Sequence, residues 1–458
     1  AAARTIEDLE PDRQDELAAR LANHRTEAGE PARSARWQTR AAAWAGVNDP
    51  EASLRHWWAA REQMSAIPEG QERDRLALDS CVGILNSGSR LGVSVEQSAQ
   101  LLEEGRLLAE RLGDTRSLAQ LLLVYARARG QAGAVEEALE HSLAAATLAE
   151  RTGLRGLRMA AAVNLSIWHW QMGRLDESVQ AADSALVRVP SDLRIGSEHL
   201  GYSPYIWLVM QRGRVLPWLG RFAEAERELD RAVGLATEHE EMEILCWAHQ
   251  GHCDLAWLTG DARSAIANAR QAVRIADKLQ TRNLQWSSYY ALGRAYLLSG
   301  DAAPAAQLLS RALEVIRETG VGRQVEALIL SDRAEAKLAL GQVEVAERIA
   351  RSAVQLSRAR GLGTAQIRSR LSLVRALLRR DPLGDDSLAE AEVLVREALD
   401  LVESTKMRVL EPLVRLELAE VAKRRPDEEA GERELSEARR LFEELGAHHR
   451  AREAAPAG

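Results

Sequence analysis

Few side chains in this sequence have both the type and the spacing to do chemistry. In Cys246-Trp-Ala-His249-Gln-Gly-His252-Cys253, the residues Cys246, His249 and Cys253 fall at i, i+3 and i+7, one face of a helix. Thiolate and imidazole are zinc donors, so a metal-dependent enzyme centred on these three is one reading. The other is packing: a small buried thiol suits the contact between two helices, and registration on Gly260 puts Cys253 at such a position. Gly83-Ile-Leu-Asn-Ser-Gly88-Ser89-Arg90 spaces its glycines like a phosphate loop but lacks the Lys-Ser/Thr pair that would hold phosphate and metal. His169 stands between Trp168 and Trp170, where a packed, hydrogen-bonded imidazole is the simpler role. Glu240-Glu241 and Asp385-Asp386 fall in turns, where charge is solvated, and His448-His449 is a feature of the tail. No Ser/His/Asp constellation can be assembled. The chemistry points to a protein that binds rather than one that catalyses, with no cofactor implied.

The elements that must carry these residues are helices. Ala, Leu, Arg and Glu dominate the 458 residues, aromatics make up 4%, and Trp, with 11 copies, is the exception. Runs of β-branched and aromatic residues that would read as strands are missing. The 60 basic and 68 acidic residues leave a net charge of −8, interspersed along the chain. A nucleic-acid binder clusters its basic residues, so that class of partner is excluded. The three cysteines, Cys81, Cys246 and Cys253, do not make a disulfide framework and fit a reducing compartment. Ala1-Ala2-Ala3-Arg4 carries no apolar leader core, and the longest apolar run, Leu118 to Ala126, is half of what a bilayer requires. The expectation is a cytoplasmic protein with no membrane contact.

One pattern recurs: an apolar helix, a glycine, one or two polar residues, then a small residue opening a second helix. Its glycines are Gly133, Gly173, Gly220, Gly260, Gly300 and Gly341, spaced by 40, 47, 40, 40 and 41 residues. Weaker copies lie at Gly46 and Gly92 and near Asp381–Gly384 and Pro426–Gly431. Two helices and two short turns account for such a period, and stacking neighbours buries the faces a single hairpin cannot. The fold class expected is an all-α, right-handed superhelical solenoid of about ten antiparallel helical hairpins, spanning residues 1–458. Within it, 1–92 form N-terminal hairpins, 93–363 regular repeats, and 364–458 degenerate C-terminal repeats and a cap. The long Gly173–Gly220 interval places an inserted loop at Pro190–Gly201, either a binding element or a tolerated surface insertion.

Trp286–Arg317, with Gly293 at the small position, then Tyr296, Gly300, Ala305 and Ala312, resembles a tetratricopeptide repeat. The longer period is similar to that of C-terminal arrays in large bacterial signalling ATPases. Leu17–Ala45 (LAARLANHRTEAGEPARSARWQTRAAAWA), the AGVNDPEASLRHWWAAREQM stretch after it and Ala438–Arg450 (ARRLFEELGAHHR) resemble the array that follows the ATPase module in bacterial nucleotide cyclase–ATPase–repeat proteins and in large ATPase transcription regulators. The resemblance implies a fragment of a longer signalling protein, with an ATPase upstream and a nucleotide cyclase in some architectures.

In a tetratricopeptide superhelix the first helix of each hairpin lines the concave side. Registration on the turn glycines turns Arg127, Trp170, Trp207, Arg214, Trp218, Trp247, Asp254, Trp257, Tyr290 and Arg294 inward. Aromatic rings with a few arginines in a concavity hold a protein or peptide segment, or a small effector. A register slip of one or two residues would make the same rings packing residues. Trp37, Trp44, Trp57 and Trp58 form a separate N-terminal cluster, either core or a boundary with an upstream module. The expected function is therefore a regulatory binding module; the alternative is a scaffold that self-associates or packs between domains.

Overall fold

The computed structural model describes residues 6, 10–46 and 49–454. Residues 1–4, read above for a leader, and residues 47–48 of the junction stretch lie outside the described residues.

Among the described residues every regular element is helical. After α1 (Ala18–Glu27) the chain runs as hairpins: α2 (Pro31–Ala45) with α3 (Pro50–Glu62), α4 (Gln71–Leu91) with α5 (Val95–Leu112), α6 (Thr115–Gln131) with α7 (Val135–Thr152), and α8 (Arg155–Gln171) with α9 (Leu175–Leu186). The short α10 (Ser197–Leu200) interrupts the series. It resumes with α11 (Pro204–Val215) and α12 (Phe222–Glu238), α13 (Met242–Thr259) and α14 (Ala262–Leu279), and α15 (Arg282–Leu298) and α16 (Ala302–Thr319). Then come α17 (Glu326–Ala339) and α18 (Val343–Ala359), α19 (Gly363–Leu378) and α20 (Asp385–Thr405), and α21 (Glu411–Arg424) and α22 (Glu428–Glu444); α23 (His448–Glu453) ends the series. The chain is thus an all-α solenoid of ten helical hairpins. None of its described helices is long and apolar enough to cross a membrane.

Local chemistry sets the helix ends. Asp114, Asp261 and Asp427 each accept the backbone N–H three residues on, from Ser117, Ser264 and Ala430, at 2.9–3.0 Å. The six turn glycines from Gly133 to Gly341 all take positive φ, between 73° and 97°, a conformation a side chain would strain. Five residues after them, Ala138, Ala225, Ala265, Ala305 and Ala346 are fully buried between the paired helices. At the same position in the Gly173 hairpin, Ser178 donates to the Ser166 carbonyl across the pair at 2.6 Å, so a polar residue is buried with its hydroxyl satisfied. The last turn differs from the expectation near Pro426–Gly431: residues 425–427 make it, and Gly431 lies buried inside α22 with its Cα side against the Ala419 carbonyl.

The chain forms two compact units. The first comprises Ala1–Ala132, Glu137–Asn164 and Ile195–Gly201; its core gathers Leu78, Cys81, Ile84, Leu85, Leu101 and Leu121. The inserted loop is therefore split, and its Ile195–Gly201 part packs in this unit. There Arg90 and Arg127 donate to the Leu200 and His199 carbonyls at 3.2 and 3.1 Å. The second unit comprises Gly133–Glu136, Leu165–Arg194 and Tyr202–Gly458. Its hairpins wind tightly: the turn at Gly173 meets Gly363 and Met407, that at Gly220 meets Leu445, and that at Gly260 meets His449 and Arg450. Later hairpins thus seat on the turns of earlier ones, and the first helices of successive hairpins converge on the interior of this unit.

Candidate functional site

That interior holds a ladder of alternating charge. Arg214 on α11 donates to Asp254 on α13 at 3.3 Å, and Asp254 also accepts from Arg294 on α15 at 2.5 Å. Arg294 lies 3.5 Å from Asp332 on α17, which accepts in turn from Arg368 on α19. Five successive hairpins thus each contribute one rung. A second, shorter row runs beside it: Arg375 on α19 donates to Glu335 on α17 at 2.9 Å and to Glu417 on α21 at 2.6 Å. Asp254, Arg294, Asp332 and Arg368 are all buried. Buried charge is tolerated here because each carboxylate accepts from a guanidinium, the fork geometry that suits it best.

Trp257, half-buried one helical turn after Asp254, is the aromatic centre of this ladder. The guanidinium carbons of Arg368, Arg294 and Arg450 lie 4.5, 4.7 and 5.6 Å from its ring centroid, within cation–π range. Trp218 packs against it with centroids 6.4 Å apart. Tyr290 lies under Arg294 at 5.3 Å and accepts from Arg368 at 3.3 Å. Arg214 covers the ring of Trp170 at 4.9 Å. Arg450, on the terminal helix α23, also donates to the backbone carbonyl of Trp257 at 2.8 Å.

Electrostatics separate these arginines. Burial works against the charge of Arg294, and Tyr290, Asp254 and Asp332 more than offset it, so its pKa is raised above the usual arginine value. Arg450 is the opposite case: burial lowers its pKa, Glu453 opposes this, and Arg375, Arg294 and Arg368 push it further down. Burial also raises the phenol of Tyr290 and the carboxyl of Glu417.

Of the residues turned inward by the sequence register, the structure brings Trp170, Arg214, Trp218, Asp254, Trp257, Tyr290 and Arg294 into one cluster of the second unit. Trp218 is nearly inaccessible at 3% exposure, whereas Trp170, Trp257 and Tyr290 are half-buried. Trp207 and Trp247 form a different group at the other end of their helices. There Tyr202 stacks on Trp207 at 6.5 Å and meets the edge of Trp247 at 5.4 Å, with Trp207 buried. Arg127 belongs to the first unit, where it binds Asn86 and the inserted loop. Cys246 and Cys253 donate to the carbonyls of Ala272 and Ala265 at 3.4 Å, and His249 bonds Asn268 at 2.9 Å, all across one hairpin. Burial pushes the Cys246 thiol up to about 12 and Cys253 higher still. No grouping of three potential metal ligands occurs among the described residues.

Sequence reasoning missed Asp332, Arg368, Arg375 and Arg450. The glycine register does carry part of the signal: Arg214, Asp254 and Arg294 each lie six residues before their turn glycine, and Glu335 lies six before Gly341. Arg294, however, reaches Asp332, one helical turn from that register, and the glycine in the turn after α19, Gly384, has φ −85° and does not mark the same position as the others.

The fold is that of a tetratricopeptide-like helical solenoid. No family model matches the sequence, and no curated protein matches it. Solved structures show the likeness. A Rap protein complexed with competence and sporulation factor superposes with a TM-score of 0.56 at 11% identity, covering 82% of this chain and 99% of that one. The APC/C hetero-tetramer Cut9–Hcn1 gives 0.56 at 14% identity, covering 95% and 78%. A signal transduction ATPase with numerous domains and a tetratricopeptide repeat sensor, from Pyrococcus horikoshii, gives 0.46 at 13%, covering 83% and 54%. At these identities the likeness is one of fold.

Proposed function

We propose that this chain is the non-catalytic binding and regulatory module of a larger bacterial signalling protein, and that it holds a peptide segment in the interior of its second unit. The observation that carries this reading is the half-buried Trp257 ring flanked by Arg294, Arg368 and Arg450. Apolar packing needs only Ala and Leu, so an aromatic face ringed by fork-shaped donors is the lining of a recognition surface. The Rap protein of similar fold is complexed with a factor, which supports the same use of this fold here. The resemblance of Leu17–Ala45 supports a position behind an ATPase module, in the cytoplasm, with occupancy of the interior passed along the stacked hairpins.

Panning a short-peptide display library on the full chain tests the reading. Binders should lose at least about ten-fold in affinity in Trp257→Leu, with helicity and Tm retained. Binders that ignore the substitution, or a library with none, would overturn it. The burial of Trp207 and Trp218 favours a second reading, a scaffold whose rings only pack. That reading requires a dimer whose population grows with concentration in sedimentation, and a strict monomer rules out self-association by this chain.

A further inference from the structure

The charges in the second unit's interior do not cancel. Five arginines, Arg214, Arg294, Arg368, Arg375 and Arg450, face four carboxylates, those of Asp254, Asp332, Glu335 and Glu417. Asp254 is shared by Arg214 and Arg294, and Asp332 by Arg294 and Arg368, so two carboxylates serve three guanidiniums. The surplus cation is Arg450. Its one carboxylate neighbour among the described residues is the exposed Glu453, 3.6 Å away on the same helix, and otherwise it rests on a backbone carbonyl and the Trp257 ring. Donors are also left over. The Arg294 side chain is 6% exposed, yet its Nη2 has no hydrogen-bond partner, nor does the buried Nε of Arg450. Three guanidiniums gathered on one ring repel one another, and a buried donor without a partner is destabilising.

We infer that Arg294, Arg368 and Arg450 around Trp257 form a carboxylate site, so that the segment held in this interior is acidic. The inference rests on the binding function proposed above and names the chemistry of the ligand. A carboxylate accepts two parallel N–H bonds from a guanidinium, and its charge balances the surplus that Arg450 brings. The third arginine comes from α23, so the site is complete only when the terminal helix is seated against the Gly260 turn. Arg450 is an unfavourable choice for a structural clamp, since it is buried beside three other arginines. It is a good choice for a ligand contact.

Three pools of hexapeptides, randomised without Asp or Glu and applied to the full chain, test this. One fixes glutamate at the fourth position with an amidated C-terminus, one fixes glutamine there with the same amide, and one fixes glutamine with a free C-terminal carboxylate. The expected result is a preference of about ten-fold or more for a pool carrying a carboxylate over the neutral pool. The first and third pools then tell a side-chain carboxylate from a terminal one. Arg450→Gln keeps a donor for the Trp257 carbonyl. It should remove most of the preference for the acidic pools over the neutral one, with Tm equal or higher. A structural clamp would instead lose Tm. Equal binding of neutral and acidic pools by the wild type, or an unaltered preference in Arg450→Gln, would overturn the carboxylate site alone. Binding of all pools that is indifferent to Trp257→Leu would sink the interior as a binding surface.

Discussion

Trp57 and Trp257 are both half-buried rings on repeat helices, and they are put to different uses. In the first unit the face of Trp57 lies on Gly83, where even a Cβ would come within 2.1 Å of the ring, and the ring joins the apolar core around Cys81 and Ile84. In the second unit Trp257 lies beneath guanidiniums and beside a run of buried carboxylates. A tryptophan therefore does not mark a site by itself. What it faces decides, because glycine and leucine can only be packed against, whereas arginine brings charge and unmet donors.

The largest expected effect tests whether the ladder supports its own unit. Arg294→Leu removes the middle rung and leaves Asp254 and Asp332 short of a buried partner, which should cost about 3–5 kcal/mol in denaturant unfolding. A loss below about 1 kcal/mol would mean that the neighbouring arginines take over both carboxylates. The corresponding change in the first unit is Gly83→Ala. It drives a methyl into the Trp57 ring and should cost about 1–3 kcal/mol, with no effect on binding at Trp257. A neutral outcome would show that Trp57 has room to swing away, and the contrast between the two rings would weaken.

Titration sharpens the same contrast. Asp79 in the first unit lacks the bonded arginine that each ladder carboxylate has, and burial raises its pKa to about 6, with Arg75 opposing and Asp114 reinforcing the shift. Its folded-state pKa lies above the ordinary value. The stability it contributes is therefore present at low pH and is lost as pH rises from about 4 through about 6. Thermal unfolding should show wild type falling relative to Asp79→Asn across that window, and parallel curves would exclude the effect. The smallest expected effect is a control common to both units. Asp49→Ala and Asp261→Ala each delete a helix cap and should each cost about 1 kcal/mol, since the same local bond is lost in both places. A large difference between them would mean that the units differ in more than their interiors.

Much of this was legible in the residues. The turn glycines and the alanines five residues later are read from local rules, because left-handed backbone and close helix approach each demand one residue type. Three rungs, Arg214, Asp254 and Arg294, were legible for the same reason, since all keep one offset from a turn glycine. Asp332 and Arg368 were not: the ladder steps by one helical turn between α15 and α17, and long side chains absorb the step without leaving a trace in the repeat. Arg127 shares the inward register yet is spent on the inserted loop, a partner that no repeat pattern announces.

The sequence by itself determined the helices, their caps and the ten hairpins, because each of these depends on residues within a few positions of one another. The winding of the second unit was decided only in three dimensions. It accumulates small rotations from one hairpin to the next, and their sum seats α23 on the Gly260 turn. That sum brings Arg450 to Trp257 across 193 residues. It turns a row of aromatic and charged side chains, each unremarkable in its own repeat, into one interior where three guanidiniums meet on a single ring.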